Sequence, residues 1–365
     1  MDIVLMIVYA TLILGFLVFI HEGGHYLAAR AFGVRVTEFM LGLPGPNIGF
    51  TKWGTKFGVT PFLLGGYAKV CGMEPGEMSP YLEPVLAALY RRGTANMEDI
   101  ARDCGITDDA AYEALDELVE WGSIAGPTKQ DKYNTYRAPV VKPSKKQVAA
   151  GAVAYELGQA RPVEDAHALF ESEYKQQYRS LPFWKRSVIL VAGVAVNLLF
   201  AMILFVILYS VIGLDMVRQS TGEIVHVTLN PLQAIQAGFM FIGMVVQAVA
   251  GLFNPATAAE TVSQSASVIG IAALSKDAVD AGLFSIVGFV ASISVSLGIM
   301  NLLPIPPLDG GRFVIEVFQK ISRKVVTMRA LNYLSAAGMI LFIGFFLFMA
   351  NQDIQRIISG AGFGG

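Results

Sequence analysis

The sequence predicts an α-helical polytopic membrane protein: four core transmembrane helices, a membrane-associated β-hairpin region and an inserted winged-helix-like cytoplasmic domain. Three observations carry this expectation. Hydrophobic residues make up 54% of the 365 and charged residues only 15%, against about 25% charged in soluble domains, and the mean hydropathy is +0.54. Five apolar runs are long enough to cross a hydrocarbon layer roughly 30 Å thick, and four of them are read as crossings. Between the first two, residues 75–180 mix acids and bases as a soluble domain does. Cys71 and Cys104 make neither a disulfide framework nor a CxxC metal pair. A net charge of -2 points to no class of partner.

Residues 1–34 hold the first transmembrane helix. No charge lies between Asp2 and His21, and the helical pattern continues to Ala31. The N-terminus lacks a basic region and a small-residue cleavage site, so this reads as a retained span and not a signal peptide. Its far end carries His21-Glu22-Gly23-Gly24-His25. On a helix the two histidines stand one turn apart on one face, where both can bind one metal ion, and Glu22 can take a proton from a metal-bound water. Five such letters arise by chance at roughly the one-per-cent level. Their place in a membrane-length run adds weight, because polar groups there are costly and usually functional. The bland alternative is a helix end whose polar residues reach the interface. Arg30, Arg35, Lys52 and Lys56 follow the motif and only Asp2 precedes it, which makes the far end cytoplasmic by the positive-inside rule.

Residues 35–74 are rich in Gly and Pro, with short apolar alternations that read as β-hairpins. Beside a metal, such a hairpin offers a strand edge to an extended peptide; a plain cytoplasmic hairpin has the same periodicity. In residues 75–180, helices are expected over 80–92, from Asn96 to Gly105, and over 110–121 behind the capping run Thr107-Asp108-Asp109. A small wing follows from Tyr133 to Pro139, and further helix lies within 147–172, with His167 on the surface. Across 72–182 stand 18 acidic and 12 basic residues. That is no footprint for phosphate, so the domain reads as a protein-interaction or regulatory module, not a nucleic-acid binder.

The second span is 187–213, led in by Lys185-Arg186, and contains Asn197 in an apolar surround. That amide has two equal readings, a hydrogen bond to a neighbouring helix or one to a substrate backbone. Gly193 allows close helix approach. Residues 214–281 read as a short external strand (Thr221–Thr228) plus an interfacial or re-entrant helix at 232–253; a crossing there would invert every later span. Residues 283–311 form the third core span, ending in Asn301-Leu302-Leu303-Pro304-Ile305-Pro306-Pro307-Leu308-Asp309-Gly310-Gly311. A basic cytoplasmic segment, 312–329, leads to the fourth span, 330–350. Residues 32–186 are then cytoplasmic, in a multi-pass protein of the inner (cytoplasmic) cell membrane.

Catalytic zinc usually takes three protein ligands plus water, and the pentapeptide supplies two. Asp309 meets the need at the same membrane face; its other reading is a helix N-cap. Glu38 is the nearest downstream carboxylate.

HEGGH in the first span, Gly65-Gly66-Tyr67 with Gly72-Met73, Pro182-Phe183-Trp184-Lys185-Arg186 leading to Ala192-Gly193 and Asn197, and the Asn301–Gly311 stretch together resemble the site-2 protease family of intramembrane zinc metalloproteases, in its bacterial RseP-like branch. The resemblance implies Zn2+ held by His21, His25 and Asp309, and Glu22 as catalytic base. It implies substrate contacts at Asn301, Asn197, Gly65 and Gly66, and hairpins that hold the substrate as an added strand. The implied partners are transmembrane substrates such as anti-sigma factors or signal peptide remnants, and the lipid bilayer; the inserted residues 75–180, which depart from that branch, add a cytoplasmic regulator as an expected partner. The chain departs from that branch in three ways. Residues 214–231 are too few for a PDZ domain, Val194 stands where relatives often have Pro, and Ser265-Ala266-Ser267 replaces a usual Gly-Pro. The competing reading is a membrane zinc-binding sensor or transporter without peptidase activity.

Overall fold

The computed structural model describes all residues except 1, 64, 74–75, 130, 132–133, 144–147, 150, 152, 218–221 and 360–365. Helix α1 (Asp2–Ala31) runs unbroken through the apolar stretch and the HEGGH motif. Four strands follow: β1 (Val36–Leu41), β2 (Ile48–Lys52), β3 (Thr55–Val59) and β4 (Gly66–Val70). They form one sheet in the order β2-β3-β1-β4, with β1 and β3 parallel and the other neighbours antiparallel. Trp53 (φ 53°) and Gly54 (φ 79°) make the β2–β3 turn, the pair of positive φ angles that a two-residue hairpin needs. A plain succession of hairpins would set β2 beside β1. Placing β3 there instead brings Phe57 onto the aromatic cluster of Phe39 and Tyr26 (ring centroids 5.7 and 5.5 Å), with Phe19 5.5 Å from Phe39. The sheet thus packs on the motif-bearing half of α1, and the β2–β3 hairpin is left outside with Ile48, Phe50 and Trp53 exposed.

The inserted segment has its own core. Helices α2 (Leu82–Arg92), α3 (Met97–Cys104) and α4 (Asp108–Glu120) pack Leu86, Leu89, Ile100, Leu115, Leu118 and Trp121 together. Asn96 and Thr107 cap α3 and α4 by accepting from the Asp99 and Ala110 N–H groups. Strands β5 (Thr94–Asn96) and β6 (Thr135–Arg137) pair antiparallel. Tyr133, where the wing was expected to start, lies outside the described residues, as do several positions between 144 and 152 in the 147–172 stretch. Helix α5 (Ala166–Tyr174) closes the unit, with Phe170 and Tyr174 against Trp121. His167 is exposed beside Glu83.

Arg35 joins this unit to the membrane helices. Its guanidinium donates to the Gly122 carbonyl (2.7 Å), Glu173 (2.9 Å) and Gln176 (3.0 Å). A Cβ at Gly122 would stand 2.6 Å from Thr37, so a glycine there lets the two surfaces meet.

Helix α6 (Phe183–Val206) continues as a π-helical turn to Ile212. The hairpin β7 (Leu214–Val217) and β8 (Ile224–Val227) follows; Thr221, the expected start of an external strand, lies outside the described residues. Then come α7 (Pro231–Gly251), α8 (Ala258–Gln264), α9 (Val268–Asp280), α10 (Leu283–Asn301), α11 (Asp309–Ser322) and α12 (Met328–Ser359). Five helices are long and apolar enough to cross a membrane: Ile3–Ala31, Phe183–Ile212, Pro231–Gly251, Leu283–Asn301 and Arg329–Ser359. They fit a multi-pass membrane protein. The sequence reading expects four spans; the additional candidate is α7, one continuous helix whose Phe241 ring lies 5.3 Å from Phe205 of α6. Helix α12 extends nine residues past the expected end at 350. Asp353, fully buried, accepts from the Ser267 and Gly270 N–H groups (2.6 and 3.1 Å) and so caps α9. That bond anchors the extra turns.

Candidate metal centre

Helices α1 and α6 run antiparallel and touch backbone to backbone beneath the motif. A Cβ at Gly24 would come within 2.6 Å of the Ala192 carbonyl oxygen, and one at Gly193 within 2.4 Å of His25 Nε2 and 2.8 Å of His21 Nε2. Two glycines therefore let the imidazoles lie flat against α6. His21 and His25 are 6% and 7% exposed. Asp309, in the first turn of α11, brings Oδ2 to 3.0 Å from His21 Nε2 and 3.1 Å from His25 Nε2, and the two nitrogens are 3.4 Å apart.

This triangle suits a tetrahedral ion. Ligands about 2.0–2.1 Å from zinc stand roughly 3.3 Å from one another. The outer nitrogens agree with that orientation. His25 Nδ1 donates to the Ile189 carbonyl at 2.7 Å, which leaves the Nε2 lone pair facing the site. His21 Nδ1 lies 3.3 Å from the Asn197 side-chain nitrogen, and Asn197 Oδ1 is buried without a partner. A histidine bound through Nε2 carries its proton on Nδ1. Turning the Asn197 amide over, an assignment set by the network and not by the atoms themselves, gives that proton its acceptor and satisfies the orphaned oxygen. Two nitrogens and one carboxylate oxygen are donor types that zinc takes in catalytic sites.

Glu22 stands beside the triangle, half-buried, and its Oε2 accepts from the Ala68 N–H of edge strand β4 at 2.9 Å. Gly66 permits this approach: a Cβ there would meet Val18 and lie 3.4 Å from Glu22 Cγ. Gly65 turns the chain into β4 with φ 98°. Asn301, half-buried, ends α10 eight residues before Asp309. Glu38 points elsewhere, accepting from the Tyr67 hydroxyl at 2.8 Å; burial and that carboxylate push the Tyr67 pKa up to about 12. Among the described residues, His21, His25 and Asp309 are the group able to hold a metal. The Ile189 carbonyl and the Ala68 N–H were invisible to sequence reasoning, because a backbone group leaves no mark in a residue pattern.

A family model described as peptidase family M50 matches residues 9–345. The chain belongs to peptidase family M50. Two of the relatives below match over nearly the full length and a third over a short stretch. "Putative zinc metalloprotease Atu1380" of Agrobacterium fabrum is 25% identical over 95% of both chains. "Putative zinc metalloprotease Cj1068" of Campylobacter jejuni is 25% identical over 95% of this chain and 92% of its own. "Putative zinc metalloprotease SA1105" of Staphylococcus aureus is 42% identical over 78 residues, 21% of this chain and 18% of its own. As an M50 member of the site-2 protease type, the protein is a metallopeptidase.

Proposed function

We propose that this M50 peptidase uses zinc to hydrolyse peptide bonds within or beside transmembrane segments of other membrane proteins. The observation that carries the reading is the convergence of His21, His25 and Asp309 beside Glu22, among helices of membrane length. Zinc held by His21, His25 and Asp309 would supply Lewis acidity, lowering the pKa of water and polarising the scissile carbonyl. Glu22 takes the proton and returns it to the leaving amine. Asn197 and the Ile189 carbonyl hold the two imidazoles in register. A substrate helix hides its carbonyls in its own hydrogen bonds, so it has to unwind first. Strand β4, the edge strand that passes Glu22, is where the unwound segment adds as a strand, close to Gly65 and Gly66; Asn301 lines its path. The exposed apolar β2–β3 hairpin suits contact with lipid.

The topology reading has four crossings, with α7 returning to the side it left. The meeting of Asp309 with His21 and His25 supports it, because a crossing by α7 would carry Asp309 to the opposite face. The basic residues 312–329 and those after the first span put the inserted unit in the cytoplasm. Its order of helix, strand, two helices and strand supports a winged-helix-like module that receives a cytoplasmic regulator. Membrane-bound anti-sigma factors and remnant signal peptides are the substrates of this reading. Glu22→Gln should keep its zinc and lose cleavage of a reconstituted single-span substrate. Retained cleavage would refute the role of Glu22, whereas a parent protein that binds zinc and cleaves nothing would favour the zinc sensor or transporter reading.

A further inference from the structure

We propose that Glu316 is a positioning residue for the metal ligand Asp309, held in place by Tyr178 and Arg186. The inference rests on the zinc reading above and extends it to residues outside the metal site. Among the described residues, the hydrogen-bond partners of the Asp309 carboxylate are the two histidines alone. Nothing on the protein side orients it, so its place against His21 and His25 comes from the helix that carries it. Helix α11 begins at Asp309, and no side chain caps it. What anchors α11 therefore sets the third corner of the triangle.

Glu316 lies seven residues on, two helical turns, and so on the same face. It is 9% exposed. Its Oε1 accepts from the Tyr178 hydroxyl at 3.3 Å, and its Oε2 lies 3.4 Å from the Arg186 guanidinium. Between the two turns Phe313 packs into a cluster with Ala29, Val34, Tyr178 and Ile189. Arg186 stands one turn before Ile189 on α6, and the Ile189 carbonyl orients His25. The same two turns of α6 thus hold one histidine directly and the Asp309 helix through Glu316. A buried carboxylate is costly without a role. Here its partners fix both the rotation and the height of α11.

The test uses the full-length protein in detergent, with the metal alone as probe. Glu316→Gln, which keeps the side-chain shape, and Tyr178→Phe, which removes one hydroxyl, are compared with the parent and with Asp309→Ala. Zinc affinity is read by chelator competition and site geometry by the absorption spectrum of the cobalt form. Outer partners of metal ligands typically matter by about 10–100-fold in affinity, and a loss of that order is expected, with an altered cobalt spectrum. The double variant Glu316→Arg with Arg186→Glu should recover part of it. Affinity within twofold of the parent for Tyr178→Phe and for any Glu316 variant that folds would overturn the proposal, whatever the change in unfolding temperature. A parent that binds no zinc would instead overturn the zinc reading itself.

Discussion

Gly193→Ala should empty the metal site while leaving the helices in place. The added Cβ would stand 2.4 Å from His25 Nε2 and 2.8 Å from His21 Cε1 and Nε2. An ordinary contact is about 3.5 Å, so the His25 ring has to retreat by roughly 1 Å. Retreat is opposed on the other side, where Nδ1 is bonded to the Ile189 carbonyl at 2.7 Å. Zinc sites tolerate about 0.2 Å in ligand distance, and losing one of three ligands should weaken binding at least ~100-fold, about 3 kcal/mol. Overpacking adds about 1–3 kcal/mol against the fold. Gly23→Ala is the control: nothing lies within 4 Å of its Cβ, and alanine gains up to ~1 kcal/mol in helix propensity. The assay is zinc content by elemental analysis after dialysis, with thermal unfolding alongside. A Gly193→Ala protein holding one equivalent of zinc at parental affinity would refute the close-packed site.

Asn197→Leu removes the partner of His21 and should weaken zinc about 10–100-fold, whereas Asn197→Asp, which keeps an acceptor, should stay near the parent in the same chelator titration. Arg35→Ala breaks the bonds to Gly122, Glu173 and Gln176; a loss of about 2–3 kcal/mol should appear as faster amide exchange at residues 121–123 with the core of the inserted unit still protected. Burial pushes the Cys71 thiol up to about 11, so at pH 8 iodoacetamide should label Cys104 and leave Cys71 until the chain unfolds. The raised Cys71 pKa favours the protonated thiol in the fold. Its contribution to stability is complete below the unfolded value of about 8.5 and is lost as pH rises from there through about 11, so denaturation midpoints should fall over that window in the parent and stay flatter in Cys71→Ala.

Much of this molecule was legible in its sequence, and the limits have physical causes. The spans follow from apolar length, and HEGGH declares itself by helical spacing. Asp309 was reachable by counting zinc ligands, although the sequence left Glu38 open. Asn197 stood out as an amide in an apolar helix, but which partner it meets depends on the register of α6 against α1. Glu316 gave no signal, because a glutamate among the mixed charges of an amphipathic helix has the pattern of a solvated one. The parallel pairing of β1 with β3 also escaped, since alternation fixes a strand and not its neighbour. Arg35 looked like one more cytoplasmic cation; its clamp on residues 121–123 is a long-range contact that no local pattern records.

His21 and His25 precede Asp309 by 288 and 284 residues, and that separation orders events in time. At about 5–20 residues per second of synthesis, the base and two ligands are made roughly 15–60 s before the third. With these three ligands, a nascent chain enters the membrane with an incomplete metal site and stays inert until residue 309, in the last sixth of the chain, has been translated. On the proposed zinc reading, a product that stops short of residue 309 lacks the third ligand, so synthesis past that residue is the first step of activation.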